Sequence, residues 1–252
     1  MLVFGKPRTA IFAHMDSIGF TVRYGKELVK IGGPRVKPEY KLVGSDSKGD
    51  IECQLGVTEN ADIKYTYKRE LDRGTTLTFK PNFRETKNYV QCCYMDNRLG
   101  MWNALQVAET LENGIICFST YEEHSGGSVG FLAKFIYEKY KVSQTLISDI
   151  TWVTDGVKAG KGVAVSMRDS GIPRRQYINR IIDIAQKSKV PFQLEVEGSG
   201  GSDGNQIQAS PYPVDWCFVG APEQNVHTPD EKVHKADIQA MVDLYKVLMR
   251  EL

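Results

Sequence analysis

Apolar and polar positions follow two different textures along this chain. Between residues 18 and 88, short β-prone runs follow one another at 19–24, 28–31, 51–57, 63–67 and 75–79. Turn clusters separate them, namely Gly32-Gly33-Pro34, Gly44-Ser45-Asp46 and Asp72-Arg73-Gly74. No helical period of useful length appears there. Strands at this spacing predict a small antiparallel barrel or sandwich.

Outside that segment the pattern alternates between strand and helix. Residues 9–13 form a buried-strand run that stops at His14-Met15-Asp16, and 89–94 form another that stops at Met95-Asp96-Asn97-Arg98. A helix follows, with Leu99, Trp102, Leu105, Ala108 and Leu111 on its predicted apolar face. The run 115–121 then ends in Glu122-Glu123, ahead of the flexible Ser125-Gly126-Gly127-Ser128. Next come a helix carrying Val129, Leu132, Phe135 and Ile136, a strand at 145–148 that ends at Asp149, and a strand at 162–167. Ile178, Ile181, Ile182 and Ala185 mark a helix starting near Pro173; 192–196 is a strand leading into a glycine-rich loop at 198–204. A last strand, 214–219, precedes a loop with His227-Thr228-Pro229, and a helix from about Ala236 closes the chain. Strands alternating with amphipathic helices predict an α/β fold, a mixed central sheet covered by helices on both faces. The expected organisation is therefore a main domain of residues 1–17 and 89–252, with 18–88 as an inserted, β-barrel-like domain.

Composition narrows the function classes. With 252 residues, 41% hydrophobic and 25% charged, the chain has the balance of a soluble globular protein. Its net charge of +1 offers no bulk attraction to nucleic acid or a membrane surface. The densest basic stretch, 30–41, is broken by glycine and proline and reads as a solvated loop. No apolar run reaches the ~20 residues of a membrane span, and no secretory signal is expected at the start. The five cysteines show no zinc-type spacing, and four lie in apolar runs; they read as small core residues of a cytoplasmic protein.

The candidate chemistry lies where these strands end. In open α/β sheets the ligand crevice is outside the carboxyl ends of the strands. Five strands each deliver an acid or a histidine there: His14 with Asp16, Asp96, Glu122 with Glu123, Asp149, and His227 after the last. Two histidines and several carboxylates, without cysteine, suit divalent metal bound through nitrogen and oxygen. Two metals would need one bridging carboxylate and two terminal ligands each, which leaves one acid free to act as general base. Asp155 is an alternative ligand to Asp149, His124 is a candidate for a pocket rim, and His234 is expected to face solvent.

With these residues in place, the chain is similar to the tetrahedral (TET) aminopeptidase family of dinuclear metallopeptidases, which includes deblocking and glutamyl aminopeptidases. The resembling stretches are 13–20 (Ala13-His14-Met15-Asp16 onward), 95–100 (Met95-Asp96-Asn97-Arg98 onward), Glu122-Glu123, Asp149-Ile150-Thr151, Gly200-Gly201-Ser202-Asp203 and His227-Thr228-Pro229. The resemblance implies that Asp96 bridges two divalent metal ions, with zinc expected and cobalt and manganese as alternatives. His14 and Asp149 would complete one site, and Glu123 and His227 the other. Glu122 would be the general base and Asp16 would hold His14. Peptides would be the substrate, and a homo-oligomer the assembly. The family's pattern has a helix and edge strands ahead of the His-x-Asp strand, whereas His14 lies near the start here; Ser17 and Asn97 stand where acids are common. Two other readings stay open from sequence. One is an endoglucanase-type glycosidase using Glu122 and a second carboxylate, which leaves the histidines without a role. The other is an inactive homologue lacking the N-terminal segment.

Overall fold

The computed structural model describes residues 1–124 and 126–252; Ser125, in the expected flexible stretch, lies outside the described residues. The described residues build two sheets. The larger has ten strands: β1 (Leu2–Phe4), β2 (Ala10–His14), β9 (Arg84–Glu85), β10 (Tyr89–Gln91), β11 (Gly114–Ser119), β12 (Gln144–Trp152), β13 (Val163–Arg168), β14 (Phe192–Val196), β15 (Asp215–Gln224) and β16 (Lys232–His234). The smaller has six: β3 (Gly19–Val22), β4 (Leu28–Ile31), β5 (Lys41–Asp46), β6 (Gly49–Val57), β7 (Ile63–Thr66) and β8 (Thr76–Phe79).

Alternation along β2 shows why the larger sheet is covered on both faces. Ile11 packs into a core with Val107, Ile178, Ile181, Leu244 and Leu248. Its neighbours Ala10 and Phe12 turn the other way, toward Val129, Ile136 and Ile207. One face therefore carries α1 (Met95–Ala108), α3 (Arg175–Ser188) and α5 (Lys235–Glu251), and the other carries α2 (Val129–Tyr140) and α4 (Asp203–Ala209). Side chains two apart on a strand share a face, so a strand buried on both sides must be apolar throughout, as β2 is until His14.

Strands β11, β2, β12 and β15 lie side by side and parallel, so their carboxyl ends share one edge. Register then sets the site. Ser119 is opposite His14, and Ile147 is opposite Phe12, which brings Asp149 level with His14 two residues further on. Outer strands run antiparallel, making the sheet mixed. The smaller sheet has the order β4-β3-β8-β5-β6-β7, and a bridge between Glu27 and Lys64 draws its two edges together into a nearly closed barrel. Ile18, Phe20, Leu42, Leu55, Leu77 and Phe79 fill it.

Several local expectations give way to packing. The cluster Gly44-Ser45-Asp46 is not a turn but the end of β5, a strand held between β8 and β6. A Cβ on Gly44 would lie 2.5 Å from the Thr76 carbonyl oxygen, so this glycine permits close strand approach. Asp149 does not end its strand either, because β12 continues to Trp152 beside β15. The loop expected at 198–204 gives way at Asp203 to α4, whose start is capped by Ser202 and Asn205 in a reciprocal capping box.

Helix α1 turns a different face inward from the one its apolar residues predict. Gly100, Asn103, Ala104 and Val107 are buried, while Trp102 and Leu105 remain 41% and 47% exposed. The cause is proximity to β12. A Cβ on Gly100 would sit 2.0 Å from the Ser148 carbonyl oxygen, and the Asn103 amide donates to the Ser148 hydroxyl at 2.8 Å. Only small or hydrogen-bonding side chains fit there, so the larger apolar residues are displaced outward.

Candidate metal centre

The sheet edge collects the seven residues singled out from sequence. His14 is the last residue of β2, and its Nδ1 lies 3.1 Å from the carbonyl oxygen of Asp16. A bond there fixes the ring and turns Nε2 into the site. Nε2 stands 3.2 Å from Asp96 Oδ1, 3.5 Å from Asp149 Oδ2 and 3.9 Å from Glu122 Oε2. His227 is arranged in the same way from the opposite side. Its Nδ1 lies 3.0 Å from the Gly33 carbonyl oxygen, and its Nε2 is 3.2 Å from Asp96 Oδ2 and 3.3 Å from Glu123 Oε2.

Asp96 thus presents one oxygen to each histidine. Two clusters share it: an inner triad of His14, Asp96 and Asp149, all buried, and an outer triad of Asp96, Glu123 and His227. Within each triad the donor atoms lie within 4.8 Å of one another, with nitrogen and oxygen donors only. Glu123 Oε1 is buried and has no hydrogen-bond partner among the described residues. A buried carboxylate oxygen without a donor is costly unless a cation compensates it. Donor set and orphaned oxygen both fit two divalent cations.

Electrostatics mark the same cluster. Burial drives the Glu122 carboxyl up to about 9, with Asp149 adding to the effect while His14 opposes it. Burial and then Asp96 push Glu123 up to about 10. Asp149 is also raised, by burial first. Burial acts against the charged form of Asp96 too, but hydrogen bonds from His14 and His227 outweigh it and hold that carboxyl well below its usual range. Both histidines are raised: burial disfavours their charged rings, and the facing carboxylates more than offset it. Around the ionised Asp96, the other three acids and both imidazoles favour their protonated forms, a cluster in which bound cations would compete with protons.

The carboxylate of Asp16 has a different partner from the one its spacing suggests. Its Oδ1 is 3.7 Å from His14 Nδ1, beyond hydrogen-bond distance. Instead, Asp16 accepts the main-chain N–H groups of Glu122 and Glu123, each at 3.1 Å. One residue therefore fixes His14 through its carbonyl and the Glu122-Glu123 turn through its carboxylate.

The remaining candidates fall away from the donors. The Asp155 side chain is fully exposed and lies 3.5 Å from Lys158 Nζ. His124 accepts the Gly32 N–H at 3.4 Å, and His234 accepts the Ala236 N–H at the start of α5. The basic stretch 30–41 is more than a solvated loop at one point. A Cβ on Gly33 would be 3.2 Å from His227 Nδ1, and one on Gly32 would be 2.9 Å from the Glu123 carbonyl oxygen.

Sequence reading missed Glu231, Glu195 and Asp169. Fully buried Glu231 accepts N–H groups from the segments bearing Asp96 and His227. Glu195 and Asp169 line the cavity of about 330 Å³ beside the donors, with Trp152 and Phe218. Their one sequence signal is position: Glu231 falls four residues after His227, and Glu195 near the end of β14.

A mixed α/β sheet whose strand ends hold two candidate cation-binding triads with a shared carboxylate fits a metal-dependent hydrolase. Comparison with known proteins gives its kind: the M42 glutamyl aminopeptidase family matches residues 54–244. The chain belongs to that family, and it is a metal-dependent aminopeptidase. It is 23% identical to a lysyl aminopeptidase of Pyrococcus furiosus, over 98% of this chain and 82% of the relative. Among solved structures it is similar to aminopeptidase APDkam598 of the archaeon Desulfurococcus kamchatkensis, with a TM-score of 0.86 at 20% identity over 98% of this chain and 80% of that one. It is also similar to the TET1 peptidase of Pyrococcus horikoshii, described as assembling into a tetrahedron or a large octahedral shell. There the TM-score is 0.82 at 23% identity, over 100% of this chain and 86% of the other.

Proposed function

We propose that this protein removes N-terminal residues from peptides, with His14, Asp96 and Asp149 holding one divalent cation and Asp96, Glu123 and His227 holding the second. The observation that carries this reading is the divided Asp96 carboxylate, 3.2 Å from a different imidazole nitrogen at each oxygen. Two divalent cations, when bound, would polarise the scissile carbonyl and acidify a water. Zinc suits the nitrogen and oxygen donors, and cobalt and manganese are the alternatives to test.

Glu122 is the acid left outside both triads, yet it lines the same cavity. It serves as general base: its carboxylate takes the proton of the attacking water and passes it to the leaving amine. Bound cations favour its ionised form, which burial otherwise disfavours. Asp16 positions both His14 and the Glu122-Glu123 turn. A glycosidase reading leaves the two imidazoles on Asp96 without a task.

Residues 1–17 and 89–252 act as the catalytic domain and 18–88 as an insert. What supports this is that the strands from Gly19 to Phe79 pair among themselves, although β9, near the end of 18–88, joins the larger sheet beside β10. The protein forms a homo-oligomer, a reading supported by the assembly named for the Pyrococcus horikoshii relative. A cytoplasmic location accords with five free cysteines, and among the described residues no helix is long and apolar enough to cross a membrane.

The test is Glu122→Gln, assayed on aminoacyl chromogenic substrates with added Zn²⁺ or Co²⁺ and with metal content measured in parallel. Turnover should fall by roughly 10²–10⁴-fold while two metal equivalents are retained. Full turnover by a metal-loaded variant would sink the role of Glu122.

A further inference from the structure

Glu231 lies outside both triads and contributes no donor atom to either, yet its side chain holds both of the chain segments that meet at Asp96. Its Oε2 accepts the Met95 N–H at 2.7 Å and the Asp96 N–H at 3.4 Å. Its Oε1 accepts the His227 N–H at 3.1 Å. Those segments come from distant parts of the sequence, one at the start of α1 and the other in the loop after β15. We propose that Glu231 is a positioning residue, a buried clamp that sets the outer triad by fixing the main chain beneath Asp96 and His227. This rests on the two-cation reading above.

Two features make the clamp necessary. His227 has φ +66, a left-handed conformation that a residue other than glycine adopts only under strain. Without the bond to its own N–H, the backbone can relax and swing the ring away from Asp96. Asp96 and Asn97 also depart from helical angles at the start of α1, so no regular helical ladder fixes the Asp96 main chain. A carboxylate receiving these N–H groups supplies the missing order.

The clamp acts unequally on the two triads. Two of the three outer donors, Asp96 and His227, are on segments that Glu231 holds. Of the inner donors only Asp96 is, because His14 and Asp149 sit on adjacent strands in register. Glu223 is an internal control. It is buried near Glu231, and among the described residues neither of its carboxyl oxygens has a hydrogen-bond partner. It clamps nothing.

The experiment strips metal from the 252-residue chain and titrates it with Co²⁺, following binding heat and the visible absorption of the bound ion. Parent, Glu231→Gln, Glu223→Gln and His227→Ala are compared. In Glu231→Gln the new side-chain amide turns an N–H₂ donor toward main-chain donors, so one of two Co²⁺ equivalents should bind about 10–100-fold more weakly. The spectrum of the retained equivalent should match that of His227→Ala, and Glu223→Gln should bind like the parent. If Glu231→Gln does not fold, Glu231→Asp carries the same test: it keeps the charge, cannot span all three N–H groups, and should weaken the same equivalent. Equal weakening of both equivalents, parent-like binding by the folded Glu231 variant, or a matching loss in Glu223→Gln would overturn the clamp. A parent that takes up no metal would overturn the functional reading itself, and the clamp with it.

Discussion

The two triads share Asp96 but are built on different material. Inner donors His14 and Asp149 stand on β2 and β12, neighbours in the middle of a parallel sheet, where ladder bonds and apolar packing on both faces hold the main chain. Outer donors Glu123 and His227 stand in loops, and their placement depends on tethers: Asp16 to the Glu123 N–H, Gly33 to the His227 ring, Glu231 to the His227 N–H. A site on strands inherits its geometry from the fold, whereas a site on loops has it imposed by single hydrogen bonds. The inner site should therefore bind more tightly and exchange slowly, and the outer one should be the exchangeable site.

The sharpest way to break this comparison is to remove one histidine from each side. His14→Ala leaves Asp96 and Asp149 buried together without their imidazole, and losing one member of such a cluster costs about 3–5 kcal/mol. It should lower both metal content and the melting temperature. His227→Ala, at a partly exposed position, should lose one metal equivalent and most activity yet melt close to the parent. Metal analysis and calorimetry of the two variants check this. Equal loss of stability would show that the two triads are equally embedded.

A smaller but more general effect is expected from pH. Glu122 and Glu123 rise from an ordinary value of 4.5 to about 9 and about 10, chiefly through burial. Between these limits the metal-free folded protein keeps protons that the unfolded chain has released, so its stability falls as pH rises. The raised histidines act in the same direction: their contribution is complete below 6.5 and is lost as pH climbs through their folded values. Asp96, which is lowered, has the opposite sign, but its window lies below 3.8. Metal-free protein should melt at progressively lower temperature from about pH 6 to about pH 9, while metal-loaded protein should not. Parallel curves would mean that these groups do not carry the buried protons.

The same contrast explains what the sequence could and could not disclose. Strand-borne features were legible: the apolar run before His14 and the strand leading to Asp149 announce themselves by burial, and the sheet order brings them level. The nearly closed barrel was legible from spacing alone, although β5 was hidden because glycine and aspartate there serve close strand approach and not a turn. The inward face of α1 was misread because contact with Ser148 selects glycine and asparagine over leucine. Tethers are the least legible of all. Glu231 reaches the main chain of Met95 and Asp96, and the Gly33 carbonyl reaches the His227 ring, each far away in sequence, and neither residue type nor spacing signals that.

Gly32 offers the finest probe of how the outer triad is held. It has φ +67, and a Cβ there would lie 2.9 Å from both the Glu123 carbonyl oxygen and Ile18 Cγ2. Neither neighbour can retreat freely, because Glu123 is tied to Asp16 through its N–H and Ile18 is packed in the barrel core. Gly32→Ala therefore combines a left-handed backbone cost of about 1–2 kcal/mol with pressure on the segment that carries an outer donor. The three atoms nearest that Cβ belong to Glu123 and Ile18 and not to an inner donor. The expected result is a modest fall in melting temperature and a few-fold weaker outer site, with inner-site affinity unchanged in a two-step metal titration. If the inner site weakens as much as the outer, strain at the barrel edge spreads through the sheet, and the strand-borne donors are less insulated than their packing implies.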